Sequence, residues 1–161
     1  MKSIFIARFT GFPIIQDIHT IIYGEIRHRE GLRSFKIKTI KLIKAAGCKA
    51  GIAIKPPTPL ESIDSRIFKE CDFLMPMTVN PGASGQPLME EVLHKIARLK
   101  VMLYKMKLEK ELEGDGGINA STAAWVGRLG VTVLVSGAGI FHSKDAKHAI
   151  MQLRKAAGQV K

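Results

Sequence analysis

Short apolar runs alternate with longer stretches in which apolar residues recur every three or four positions. Residues 20–26 (TIIYGEI) read as a strand, and residues 32–46 as a helix that stops at Gly47. Residues 50–54 (AGIAI) form a second strand. Pro56, Pro57 and Pro59 then force a loop, and Thr58 is placed to cap a short helix over residues 60–68. Residues 72–79 (DFLMPMTV) are a third strand, residues 80–85 a glycine-containing loop. Leu88, Val92, Ile96, Leu99 and Leu103 mark one helix within residues 87–110. A short strand over residues 111–114 leads into Asp115-Gly116-Gly117. Asn119 or Ser121 caps a helix running to Leu129 and stopped by Gly130. Residues 131–136 (VTVLVS) are β-branched and apolar on both faces, as a strand inside a parallel sheet requires. A last helix spans about residues 144–157.

Regular strand–helix alternation with continuous apolar strands means a parallel α/β fold. No GxGxxG follows a first strand, so a dinucleotide-binding sheet has no support. A complete (β/α)8 barrel has eight strands in typically about 250 residues. The sheet is either open and doubly wound or a barrel, and with five strands in 161 residues a barrel would lack roughly three βα units.

Composition narrows the class. Hydrophobic residues make up 46% and charged residues 24%, a globular balance. No apolar run reaches the roughly 20 residues of a membrane span. Residues 1–18 are mildly apolar, but Arg8 interrupts them and no small-residue cleavage site follows, so they do not read as a signal peptide. Cys48 and Cys71 are isolated, with neither zinc nor disulfide spacing, so a reduced, cytoplasmic setting is expected.

The net charge of +11 is uneven: residues 1–50 carry 10 Lys/Arg against 3 Asp/Glu. Such a chain attracts anions, whether nucleic acid or phosphorylated metabolites. Arg33, Lys36, Lys38, Lys41 and Lys44 read as the solvated face of a helix whose apolar side holds Phe35, Ile37, Ile40, Leu42 and Ile43. One Trp and two Tyr offer no stacking platform for bases, which disfavours nucleic acid.

Three loops carry candidate chemistry, each following the C-terminal end of a predicted strand: residues 80–86 (NPGASGQ), 115–117 (DGG) and 136–139 (SGAG). Glycines let several backbone N–H groups converge on an anion, and a following helix N-terminus adds a favourable dipole. One such glycine pair would read as a tight turn. Three on successive strands point to the phosphate cup that barrels build at this end.

These segments resemble the ribulose-phosphate 3-epimerase family. Residues 77–86 (MTVNPGASGQ) are similar to its strand-six signature, Met-Ser/Thr-Val-Asn/Glu-Pro-Gly leading into GFGGQ. Residues 113–119 (EGDGGIN) are similar to its strand-seven EVDGGI segment, residues 133–141 (VLVSGAGIF) to its strand-eight segment, and residues 47–61 to its strand-five stretch. The chain thus looks like strands 4–8 of a ribulose-phosphate-binding (β/α)8 barrel, with residues 20–161 as the C-terminal part of that barrel and residues 1–19 a divergent leading segment.

The resemblance implies interconversion of ribulose 5-phosphate and xylulose 5-phosphate by two carboxylates on opposite faces of one carbon. It implies a divalent metal (iron, zinc or manganese) and a sugar-phosphate substrate, while the exposed parallel strand edges of an incomplete barrel favour a homo-oligomer. Asp115 matches the second catalytic aspartate, also a metal ligand, and Met77 a methionine lining the reacting face. Gly82, Ala83, Ser84, Gly85, Gly116, Gly117, Gly137 and Ala138 match the phosphate-binding loops.

The departures are equally specific. The family's His-x-Asp pair has no counterpart; Asp17-Ile18-His19 reverses the order, and cations flank the imidazole in Arg27-His28-Arg29. Ser84 and Ala138 replace a glycine and a serine. Pro76 falls inside a predicted strand, and Gly114, in place of a branched residue, is expected to loosen another. The expectation is an epimerase relative that does not turn over by itself. A non-catalytic phosphate-binding remnant and another sugar-phosphate barrel enzyme are the alternatives.

Overall fold

The computed structural model describes residues 19–22, 30–82 and 85–158. The strands are β1 (His19–Ile22), β2 (Lys49–Ile54), β3 (Phe73–Pro76), β4 (Glu111–Asp115) and β5 (Val133–Val135). The helices are α1 (Glu30–Ala45), α2 (Ser65–Glu70), α3 (Glu90–Lys105), α4 (Ala123–Arg128), α5 (Ala138–Phe141) and α6 (Ala146–Ala156). A 3-10 turn, Leu60–Ser62, precedes α2.

All strands are parallel and lie in chain order, β1-β2-β3-β4-β5. A doubly wound sheet reverses its order at a switch point. This one never does, and so forms an arc of a barrel.

Alternate strand residues divide between two faces. Ala50, Ile52, Ile54, Leu74, Leu112 and Leu134 join Ile40, Phe68, Ile96, Leu99, Val126 and Leu153 in the core under the helices. Gly51, Phe73, Met75, Glu113 and Val133 face the other way. Phe73, Met75 and Val133 are fully buried there.

Helix ends show both foresight and error. α1 and α4 stop on Gly47 and Gly130 in left-handed backbone, φ 79° and 88°. In each, the next N–H reaches back to the last turn: Cys48 to Ile43 at 3.2 Å, Val131 to Val126 at 3.2 Å. α3 is shorter than expected because Lys107 does the same at φ 54°, with Leu108 N–H donating to the Leu103 carbonyl at 3.0 Å. α2 is capped by Asp64, which accepts from the Arg66 N–H, and not by Thr58. The predicted last helix starts at Ala146, capped by Asp145. Leu42 is 71% exposed, because it sits two residues from buried Ile40 and points away from the Ile37–Ile40–Ile43 stripe.

Pro76 ends β3 instead of lying inside it. It has no N–H for the ladder. The next donor, Met77 N–H, bonds the Ile54 carbonyl at 2.9 Å, and Met77 pairs with Asp115 as a single bridge. Gly114 is not loose: Val131 and Ile118 close over it, the nearer methyl 3.2 Å from where its Cβ would lie.

Two lysines fix α2 against the sheet. Lys44 reaches the Glu70 carbonyl (3.0 Å) and Asp72 (2.8 Å), and Lys110 reaches the Lys69 and Cys71 carbonyls at 3.0 and 2.6 Å. Lys95 of α3 donates to the carbonyls of Lys55 (3.1 Å), Pro56 and Thr58 (2.8 Å), pinning the loop after β2.

Candidate functional site

The ends of β3, β4 and β5 bring Met77, Asp115, Gly116, Gly117 and Gly137 to the same end of the sheet. Asp115, the last residue of β4, is half-buried, with Met77 as its neighbour across β3 and Val135 across β5. Burial pushes its carboxyl above the ordinary carboxylate range. Met77 is 3% exposed. Two residues earlier on the same face of β4, Glu113 is buried at 1% exposure. The sequence reading passed over it, although Glu-x-Asp in a strand puts both carboxylates on one side.

The loop after β4 turns on two left-handed glycines, Gly116 at φ 116° and Gly117 at φ 61°. A Cβ on Gly116 would lie 2.4 Å from the Val79 side chain, and one on Gly117 would lie 2.3 Å from the Leu88 backbone nitrogen. Both positions therefore require glycine. Thr78 sets the loop against the end of β3. Its N–H donates to the Asp115 carbonyl at 2.8 Å, and its hydroxyl lies 2.8 Å from that oxygen and 2.5 Å from the Gly116 carbonyl. Thr122 donates its hydroxyl to the Gly117 carbonyl at 2.8 Å and accepts from the Asn119 N–H at 3.0 Å. Asn119 itself caps the turn that enters α4, accepting from Ser121 N–H at 2.9 Å and Thr122 N–H at 3.2 Å.

The loop after β3 contains Gly82 and Gly85, both left-handed at φ 137° and 78°, with open space where each side chain would stand. The Gln86 side chain closes it by donating to the Asn80 carbonyl at 2.8 Å. Ala83 and Ser84 lie outside the described residues, as do Asp17 and Arg27-His28-Arg29.

The loop after β5 is shorter than residues 136–139. Gly137 has φ −88° and open space at its Cβ, so nothing there demands glycine. Ala138 is not a loop residue but the first residue of α5. Gly139 is the constrained position: its Cβ would stand 2.6 Å from the Ser136 hydroxyl and 2.7 Å from the Ile118 carbonyl. Those two atoms are bonded to each other at 2.6 Å, which ties the β5 loop to the β4 loop.

A divalent ion has little to bind here. Among the described residues no group of three His, Cys, Asp or Glu converges. Asp115 alone is too small a donor set for a tightly held metal.

A family model described as the ribulose-phosphate 3 epimerase family matches residues 21–141. Ribulose-phosphate 3-epimerase of Bacillus subtilis is 41% identical over 118 residues, 73% of this chain and 54% of that protein. The Methanocaldococcus jannaschii protein of the same name is 37% identical over 130 residues, 81% of this chain and 55% of that one. The chain thus spans about half the length of these curated relatives. Among solved structures, 3-hexulose-6-phosphate synthase from Salmonella typhimurium superposes with a TM-score of 0.59 at 17% identity, covering 88% of this chain and 61% of that one. The Amycolatopsis orientalis BexX/CysO complex gives 0.56 at 20% identity, covering 78% and 48%. At these identities the likeness is one of fold.

Proposed function

Because the chain belongs to the ribulose-phosphate 3-epimerase family, we propose that it holds the phosphate of a ketopentose 5-phosphate in the loops after β3, β4 and β5, and that Asp115 carries a proton at the carbon to be inverted. Inverting a carbon beside a carbonyl needs a group that removes the proton from one face and another that returns one to the opposite face. The observation that carries this reading is the position of Asp115: half-buried at a strand end, beside Met77, and directly before Gly116-Gly117. Its raised pKa, caused by burial, makes it a stronger base than an exposed carboxylate.

The reaction proposed for the family fold is interconversion of ribulose 5-phosphate and xylulose 5-phosphate. The 161 residues contain no His-x-Asp, so a second proton carrier of that form is lacking. The described residues do not fit a divalent metal, and no step is assigned to one. A second reading, phosphate binding without turnover, is favoured by the absence, among the described residues, of any three His, Cys, Asp or Glu side chains that converge.

The test is a titration of ribulose 5-phosphate into the purified chain, followed by its 31P resonance, beside a coupled epimerase assay with iron, zinc or manganese. Binding without turnover selects the second reading. Turnover abolished by Asp115→Asn selects the first. An unmoved 31P resonance at millimolar protein sinks both.

A further inference from the structure

Three consecutive carbonyls of the β4 loop each meet a hydroxyl from a different part of the chain. Gly116 meets Thr78 from the end of β3 at 2.5 Å. Gly117 meets Thr122 from the start of α4 at 2.8 Å, and Ile118 meets Ser136 from the end of β5 at 2.6 Å. The buried polar or charged side chains among the described residues are Thr78, Thr122, Ser136 and Glu113. The first three all serve this one loop.

A trans peptide is planar, with its N–H opposite its carbonyl, and no peptide here is cis. Fixing the Gly116 carbonyl therefore fixes the direction of the Gly117 N–H, and fixing the Gly117 carbonyl fixes that of the Ile118 N–H. Both are turned away from the hydroxyls. Among the described residues neither N–H has a protein acceptor. The third peptide is different, since Asn119 N–H is spent on Thr122 inside the loop. Adjacent N–H groups left without a protein acceptor beside left-handed glycine backbone are the donors from which anion-binding concavities are built.

We infer that Thr78, Thr122 and Ser136 are positioning residues, which aim the Gly117 and Ile118 N–H groups at the phosphate by holding the carbonyls behind them. This rests on the phosphate reading above. The hydroxyls touch no substrate. A hydroxyl suits the task because it is short, rotates to its acceptor, and adds no charge beside the anion. Losing one removes the donor that holds its carbonyl and lets the peptide rotate, which turns the N–H off the anion.

The experiment is a titration of inorganic phosphate into the 15N-labelled chain at constant ionic strength, with chloride as the control for general attraction to a cationic protein. In the wild type, phosphate shifts the Gly117 and Ile118 amides. Thr122→Val weakens phosphate by about tenfold, while Thr122→Ser stays within about threefold of wild type. Ser136→Ala, a milder truncation, weakens binding in the same direction. Unfolding midpoints measured beside each titration separate loss of binding from loss of fold. If phosphate binds but the Gly117 and Ile118 amides stay still, or if Ser136→Ala and Thr122→Val, both folded, bind as tightly as wild type, the positioning role is wrong and the phosphate reading survives. If phosphate shifts no amide beyond what chloride does, the phosphate reading falls and takes this inference with it.

Discussion

The ring of Phe73 occupies the space that a side chain at residue 51 would need. Gly51 and Phe73 are register partners on β2 and β3, and a Cβ at 51 would lie 2.1 Å from the ring edge. A glycine in a strand interior is costly in chain entropy, and here an aromatic laid across it restores the buried contact. Gly51→Ala is expected to cost about 1–3 kcal/mol through overpacking. Phe73→Leu in the same background should recover part of that loss. Urea unfolding of the two single variants and the double variant measures the coupling, and additive losses would show that the ring simply swings aside.

Asp115 should make the fold less stable near neutrality. Its folded pKa is raised by burial above the ordinary 3.8. A raised carboxylate contributes stability that is complete below the unfolded pKa and is lost as pH rises through the folded one. Asp115→Asn is therefore expected to raise the unfolding midpoint at pH 7, with the gain vanishing toward pH 3. Thermal unfolding across that range checks the sign.

Asp72 should behave the opposite way. Burial pushes its carboxyl up, but the Lys44 hydrogen bond, the Ala50 N–H at 2.9 Å and the charges of Lys44 and Lys110 outweigh it and hold the net value below 3.8. Its stabilisation is present above the unfolded pKa and lost as pH falls through the lowered folded value. Asp72→Asn should cost about 1 kcal/mol at pH 7, and the deficit should shrink in acid. A deficit that stays constant down to pH 2 would exclude the ionic contribution.

The two thiols should react unequally. Cys71 is fully buried, and desolvation pushes its pKa up to about 11, whereas Cys48 is half-buried. An aromatic disulfide reagent at pH 8 should label Cys48 in the native protein and reach Cys71 only after unfolding. Equal labelling rates would mean that the packing around α2 opens readily.

Lys95 should govern the loop after β2 locally. Its ammonium bonds three carbonyls there, and desolvation, with Arg98 nearby, lowers its pKa. Lys95→Met keeps the packing stem but removes the donors. Hydrogen exchange at the Thr58 amide, which closes this turn onto the Lys55 carbonyl at 3.0 Å, should speed up by about tenfold, while amides of β3 should not change. Uniform acceleration through the sheet would instead mark a global effect.

The barrel arc was legible because period-2 and period-3.6 patterns are properties of consecutive residues. The family resemblance singled out Asp115 and Met77 and the glycine pair after a predicted strand singled out Gly116 and Gly117, and the structure puts Asp115 beside Met77 and directly before those two left-handed glycines. The three hydroxyls were not. A threonine in a strand end or before a helix looks ordinary, and only folding brings Thr78, Thr122 and Ser136 to successive carbonyls. The contrast between Gly137 and Gly139 was hidden for the same reason: the need for glycine at 139 comes from the Ile118 carbonyl, 21 residues away in sequence. Lys107 misled because a lysine takes the left-handed backbone that usually announces itself as glycine.

The strict strand order has a consequence for how such a molecule is divided. Among the described residues every ladder joins strands that are consecutive in the chain, so no described strand is inserted between two others from far away. Interactions along the sheet then run in one dimension, as in repeat proteins, with each strand-helix unit answerable mainly to the unit before and the unit after. A cut between units severs one ladder and leaves the others whole. An arc of this kind can be exchanged, duplicated or recombined in evolution as a block, carrying its strand-end loops with it.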